Sequence, residues 1–199
     1  MFFAILLVSL SFHEAAHAWT ADRLGDSTAR RLGRITMNPV AHIDWIGTVL
    51  FPLVAMMSGM PLLGWAKPVP VNVHNLKSPR RDFAIVAAAG PISNLILATG
   101  VAVVVALLGG IGTVLNMSVG EFLWQALQLN VLLAVFNMIP VPPLDGGNVL
   151  MGVLPESLAR AIDQLRPWGF LILYALLFTG ALTEIIIPIA NAITGWLLL

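Results

Sequence analysis

The sequence predicts an all-α polytopic membrane protein, a bundle of transmembrane helices with a short membrane-associated β element and a re-entrant segment. Three observations carry that prediction. Hydrophobic residues make up 58% of the 199 and charged residues only 10%, and the mean hydropathy is +0.91, too apolar for a water-soluble domain. The apolar residues fall in runs long enough to cross a bilayer. All ten Lys and Arg residues lie in three stretches, 23–34, 67–81 and 160–166, while the 111–120 connection has none. By the positive-inside rule the basic stretches are cytoplasmic, as expected of an integral, multi-pass membrane protein. A formal net charge of zero and the absence of cysteine argue against nucleic acid as a partner and remove disulfides, thiolate ligands and a cysteine nucleophile. The length fits one domain over 1–199, with a core at 1–150 and a C-terminal membrane region at 167–199.

The first span runs from Phe2 to about Leu24, apolar through Leu10 and closed by Arg23 and Gly25 as C-terminal helix signals. It lacks the basic start and small-residue cleavage site of a signal peptide. Inside it stands His13-Glu14-Ala15-Ala16-His17, two imidazoles and a carboxylate where lipid should exclude all three. On a helix His13 and His17 share one face, so i, i+4 spacing lets both rings reach one tetrahedral Zn²⁺ while Glu14 stays free to handle protons. The alternative is a pair of polar residues hydrogen-bonded inside a helix bundle, but ionisable residues at membrane depth favour the functional reading. At 1.5 Å per residue His13 lies roughly 18 Å from Met1, within the hydrocarbon and toward the far face.

From Asp26 to Asp44 the chain is polar, a loop with one short strand expected at Arg34 to Met37. Ile46 to Leu63 is apolar but carries Gly47, Pro52, Gly59 and Pro61, a composition suited to a re-entrant segment rather than a regular span. The prolines of Lys67-Pro68-Val69-Pro70-Val71-Asn72 favour an extended strand, with Val69 and Val71 keeping the backbone donors of one edge. Phe83 to Gly110 spans, with Gly90-Pro91-Ile92-Ser93-Asn94 near its start. Glu121 to Ile139 crosses again and runs into the helix-ending Pro140-Val141-Pro142-Pro143. Asn148 to Arg166 is amphipathic, and Trp168 to about Leu182 plus Thr183 to Leu199 form a final apolar region interrupted by Pro188.

Two histidines leave a zinc site needing a third protein ligand and one open position. Asp145 is the best candidate, placed after prolines that end a helix and before Gly146-Gly147, which let the backbone turn closely. Asp22, Asp26 and Asp44 are nearer in sequence. Asp22 points at a different angle from the histidines, however, and the other two belong to the basic loop. His42 and His74 read as solvated or locally bonded.

His13-Glu14-Ala15-Ala16-His17, Gly90-Pro91-Ile92-Ser93-Asn94 and Asn137-Met138-Ile139-Pro140-Val141-Pro142-Pro143-Leu144-Asp145-Gly146 together resemble, in order, the three signature motifs of the site-2 protease family of intramembrane zinc metalloproteases, peptidase family M50. The likeness is to a compact bacterial branch without an inserted PDZ domain. It implies a zinc-dependent endopeptidase that cleaves transmembrane segments of membrane proteins, with one Zn²⁺ per chain on His13, His17 and Asp145 and Glu14 as acid and base. It further implies that Asn94 and Asn137 orient substrate or stabilise the oxyanion, against which stands plain interhelical hydrogen bonding. Val69 and Val71 are expected to pair with the substrate, since a helical peptide bond must be drawn out before the metal can reach it. Two other classes fit buried His, Glu and Asp. A metal or proton transporter would need repeats that are absent from this sequence, and a catalytically silent substrate-binding homologue would have lost a ligand or Glu14. Homo-oligomer and adaptor partners are left open.

Overall fold

The computed structural model describes residues 1–58 and 65–199, and their regular structure is helical. Helix α1 (Phe2–Arg23) is followed by the single turn α2 (Thr28–Arg31), a π-helical turn at Trp45–Leu50 that continues into α3 (Phe51–Ser58), and the long α4 (Pro79–Leu107). A one-turn α5 (Ile111–Val114) leads to α6 (Gly120–Asn137). The short α7 (Asp145–Val153) and α8 (Glu156–Asp163) come next, then α9 (Gly169–Phe178) and α10 (Ala181–Leu197).

Local chemistry sets the ends of α4. Pro79 occupies its first turn, where a missing N–H is harmless, and the Asp82 carboxylate accepts the Ser78 N–H at 2.8 Å. Pro91 lies inside this helix without ending it, as membrane helices tolerate when neighbours satisfy the freed backbone. Arg80 donates from Nε to the Met151 carbonyl at 2.7 Å, so α4 also satisfies the C-terminus of α7.

Helix α4 is the spine of the bundle, packed against α1, α6 and α7, while α10 packs on α6. Small residues make that contact close: Ala98 and Ala102 of α4 meet Leu127 and Val131 of α6 and Ala190 of α10. With lipid as apolar as any side chain, this close van der Waals fit rather than escape from water holds the helices together. A second cluster joins Ile5 of α1 to Ala126 and Leu129 of α6.

By length and composition α1 and α4 can each cross a membrane; α8–α9 and α10, bent by 80° at their break, form a third candidate, a broken span or a re-entrant loop. Glu121 to Ile139, expected to cross, forms helix α6, but Gln125, Gln128 and Asn130 lower its apolar character, and it is not among the candidate spans. The break in the C-terminal region falls at Gly180, which has φ +78°, and α10 continues through Pro188. Pro188 leaves the Glu184 carbonyl without its i+4 donor, a loss that membrane helices tolerate where neighbours satisfy the freed group.

The β element is not found. Among the described residues none is in a strand, and both Arg34 to Met37 and Lys67 to Asn72 are irregular. A strand needs a partner ladder, and Pro68 and Pro70 remove alternate donors from this one. Its remaining donors go singly to different acceptors: Lys67 N–H to the His42 carbonyl at 2.8 Å, Val69 N–H to Glu14 Oε2 at 3.2 Å and Asn72 N–H to Asp26 Oδ2 at 2.7 Å. The re-entrant segment expected at Ile46 to Leu63 is described only as far as Ser58, and residues 59–64 lie outside the described residues.

Enlarging Ala98, which has no exposed surface, should force α4 from α6 and α10. Ala98→Leu is expected to destabilise the bundle by about 1–3 kcal/mol, read as a lower thermal unfolding midpoint in detergent.

Candidate metal centre

His13, Glu14 and His17 lie on the buried face of α1, where each imidazole can find only a few partners. His17 Nδ1 lies 2.7 Å from the Val86 carbonyl of α4. A carbonyl only accepts, so Nδ1 carries the proton and Nε2 keeps its lone pair. His13 Nδ1 lies 2.6 Å from Asn94 Oδ1. Asn94 Nδ2 is committed to the Ser9 carbonyl at 3.3 Å and to Asn130 Oδ1 at 3.0 Å, and Asn130 Nδ2 donates to the Ala126 carbonyl at 2.9 Å. Each amide is thus oriented by a backbone carbonyl, and the chain of bonds makes His13 Nδ1 a donor as well.

Both Nε2 atoms face Asp145, with Oδ2 at 3.1 Å from His13 and 3.4 Å from His17; a carboxylate only accepts, so this arrangement calls for a shared cation between the three. Asp145 stands at the start of α7, held there by close backbone packing: a Cβ on Gly146 would overlap the Met138 and Ile139 carbonyls. Gly90 has the matching role on α4, because a Cβ there would collide with both imidazoles.

His13, His17 and Asp145 offer one ligand atom each within 4.8 Å of one another, the one such cluster among the described residues. Two imidazoles with fixed tautomers and a carboxylate are the donor set of a three-ligand catalytic zinc site, and the carbonyl and amide behind the rings are its usual outer partners. The residues fit Zn²⁺. The competing aspartates are engaged elsewhere: Asp22 with Arg30 at 2.7 Å, Asp26 with Thr28, Asn72 and Asn75, and Asp44 with the N–H groups of Ile46 and Gly47. His42 is buried and bonded to the Thr36 carbonyl at 2.9 Å, and His74 is exposed.

A cavity of about 580 Å³ opens onto the three ligand residues and Glu14, walled by Phe83, Phe136 and Phe170 among others, with Asn137, Pro68, Val69 and Val71 also on its surface. Asn137 is half-buried and donates to the Leu133 carbonyl at 2.9 Å, whereas Asn94 is wholly buried and does not line the cavity. Val69 directs its N–H at Glu14 rather than at an open edge. Asn130 went unnoticed in the sequence. The available signal is its place seven residues, two helical turns, before Asn137, which puts two amides near one face of an apolar helix.

A sequence model of the family described as Peptidase family M50 matches residues 1–114 and 104–180. YwhC of Bacillus subtilis, a candidate zinc metalloprotease by name, is 36% identical over 191 residues, 94% of this chain and 84% of its own length. Rip2 of Mycolicibacterium smegmatis, similarly named, is 34% identical over 183 residues, 89% of this chain and 66% of its own. Rip3 of Mycobacterium tuberculosis, also so named, is 30% identical over 151 residues, 75% of this chain and 30% of its own. No solved structure matches the chain.

Asn94→Leu and Asn130→Leu should each weaken zinc binding by about 10–100-fold, the usual effect of removing an outer-shell partner. Competition with a chromogenic zinc chelator measures it.

Proposed function

This chain belongs to peptidase family M50, and from that premise we propose that it is a zinc-dependent intramembrane endopeptidase, with His13, His17 and Asp145 holding the metal and Glu14 moving the proton. The observation that carries the reading is the convergence of two Nε2 lone pairs and one carboxylate beside a buried glutamate, in a cavity with apolar walls. When bound, zinc supplies Lewis acidity, polarising a scissile carbonyl and acidifying water toward neutral pH. Glu14 has Oε2 occupied by the Val69 N–H, and Oε1 has no hydrogen-bond partner among the described residues. Oε1 is the atom that takes a proton from the attacking water and returns it to the leaving amine. Asn94, through its 2.6 Å contact with the His13 ring, positions a ligand and does not meet substrate. Asn137 and Val71, on the cavity wall, meet the substrate backbone.

The substrate is a transmembrane segment of another protein, brought to the site from the bilayer. The apolar walls suit such a segment, whose side chains are apolar and whose helix must open locally to expose one peptide bond. The protein is multi-pass in a bacterial inner membrane, with the basic stretches 23–34 and 67–81 on the cytoplasmic side. Residues 1–199 act as one domain, a reading supported by Ala190 of the C-terminal region packing with Ala98 and Leu127 of the core. Family membership favours hydrolysis over transport, and a retained Glu14 favours an active enzyme over a silent one.

His13→Ala, His17→Ala and Asp145→Ala should each lose zinc, measured by metal analysis of the purified protein. Glu14→Gln should keep zinc while cleavage of co-expressed, tagged single-span proteins falls by about 10²–10⁴-fold. A Glu14→Gln protein that still cleaves at the wild-type rate would remove that residue from the chemistry. The chain has no native cysteine, so single cysteines at Ser27 and Ser78 can report topology. Both should react with an impermeant reagent from the same side.

A further inference from the structure

Pro68, Val69 and Val71 of the segment from Lys67 to Asn72 line the cavity at the metal centre, yet the segment belongs to no sheet and no helix. Its position comes from elsewhere. At one end the Lys67 backbone is held twice: its N–H donates to the His42 carbonyl at 2.8 Å and its carbonyl accepts from the Arg34 guanidinium at 2.6 Å. Arg34 and His42 are both buried. Burial pushes the Arg34 guanidinium down from its ordinary value and the nearby Glu14 charge counters it. Arg34 is therefore within electrostatic reach of the catalytic carboxylate. At the other end the Asn72 N–H donates to Asp26 Oδ2 at 2.7 Å. Asp26 has no exposed surface and is further fixed by Thr28 and by the Asn75 amide at 2.8 Å. Between these two ends the Val69 N–H meets Glu14 at 3.2 Å.

We propose that Arg34 and Asp26 are positioning residues which clamp the two ends of the 67–72 segment, so that the Val69 N–H holds Glu14 in place for proton transfer. The inference rests on the reading of Glu14 as acid and base and extends it to the basic loop, which carries none of the ligands. The physical argument is one of rigidity. Pro68 and Pro70 fix two φ angles and leave few internal contacts, so an unanchored segment of this composition would sample many positions. Two charge-assisted hydrogen bonds from buried side chains are stronger than neutral ones, and breaking either would leave a buried charge short of a partner. The clamps are thus a fixed frame rather than a latch, and their removal lowers activity. On an extended chain the backbone groups of Val69 and Val71 face the same edge. The frame that aims the Val69 N–H therefore sets the depth of Val71 as well.

The test uses the full-length protein in detergent with a purified transmembrane substrate. Arg34→Met should lower kcat by about 10²-fold, the scale of a misplacement of about 1 Å at a catalytic group, with zinc content unchanged. Arg34→Lys, which keeps a charged donor, should restore much of that loss. Asp26→Asn should give a smaller fall in kcat of the same kind. In a second, activity-independent reading, a lone cysteine at Val71 should react with a maleimide severalfold faster when combined with Arg34→Met. A variant that loses zinc or fails to fold would overturn the clamp in favour of a general structural role, as would a loss that Arg34→Lys does not restore. Wild-type kcat and unchanged maleimide reactivity in Arg34→Met would overturn it outright. Inactivity of the wild-type protein loaded with zinc would instead count against the protease reading itself.

Discussion

Everything in this structure depends on keeping ionisable groups where water is scarce. An imidazole or carboxylate moved into an apolar bundle must find a partner for each polar atom, because the alternative is an unsatisfied group at several kcal/mol. The bundle answers group by group. His17 takes a backbone carbonyl of α4, His13 takes an amide of α4, that amide takes an amide of α6, and the last takes the carbonyl of Ala126. The two Nε2 atoms and the Asp145 carboxylate are left facing one another, beside a Glu14 oxygen with no hydrogen-bond partner among the described residues. The proposed site sits where the hydrogen bonding within the bundle is left open.

Helix α4 supplies most of the support because three of its residues act in one stretch. Val86 contributes a carbonyl, Gly90 contributes space and Asn94 contributes an oriented amide. Spacing of four residues puts all three on a common face, directed at the histidine face of α1. The small residues further along, Ala98 and Ala102, then dock the same helix on α6 and α10. One helix therefore fixes both the tautomers of the ligands and the assembly of the bundle.

Much of this was legible in the sequence. The histidine pair, Glu14 and Asp145 could be singled out because their chemistry is improbable in apolar surroundings, and the helices α1, α4 and α6 followed from long apolar runs. The failures also have physical causes. The expected strand at Lys67 to Asn72 was inferred from backbone stiffness, but stiffness gives an extended chain and not a ladder, which needs a partner that sequence does not name. Asn130 and Arg34 went unassigned since their importance lies in what they touch across 36 and 33 residues of chain, a distance that local patterning does not reach.

The proposed ligands His13 and Asp145 stand 132 residues apart, so a metal shared between them would also be a cross-link closing most of the polypeptide into one loop. Anything bound to the folded chain alone stabilises it by mass action, by about 4 kcal/mol at a thousandfold excess over its dissociation constant. On that proposal zinc supply would govern how much folded protein survives in the cell, not only how fast each molecule works. In a metal-starved cell the pool would be thinned by unfolding and turnover, and the amount of enzyme would itself become a record of the metal available when it was made.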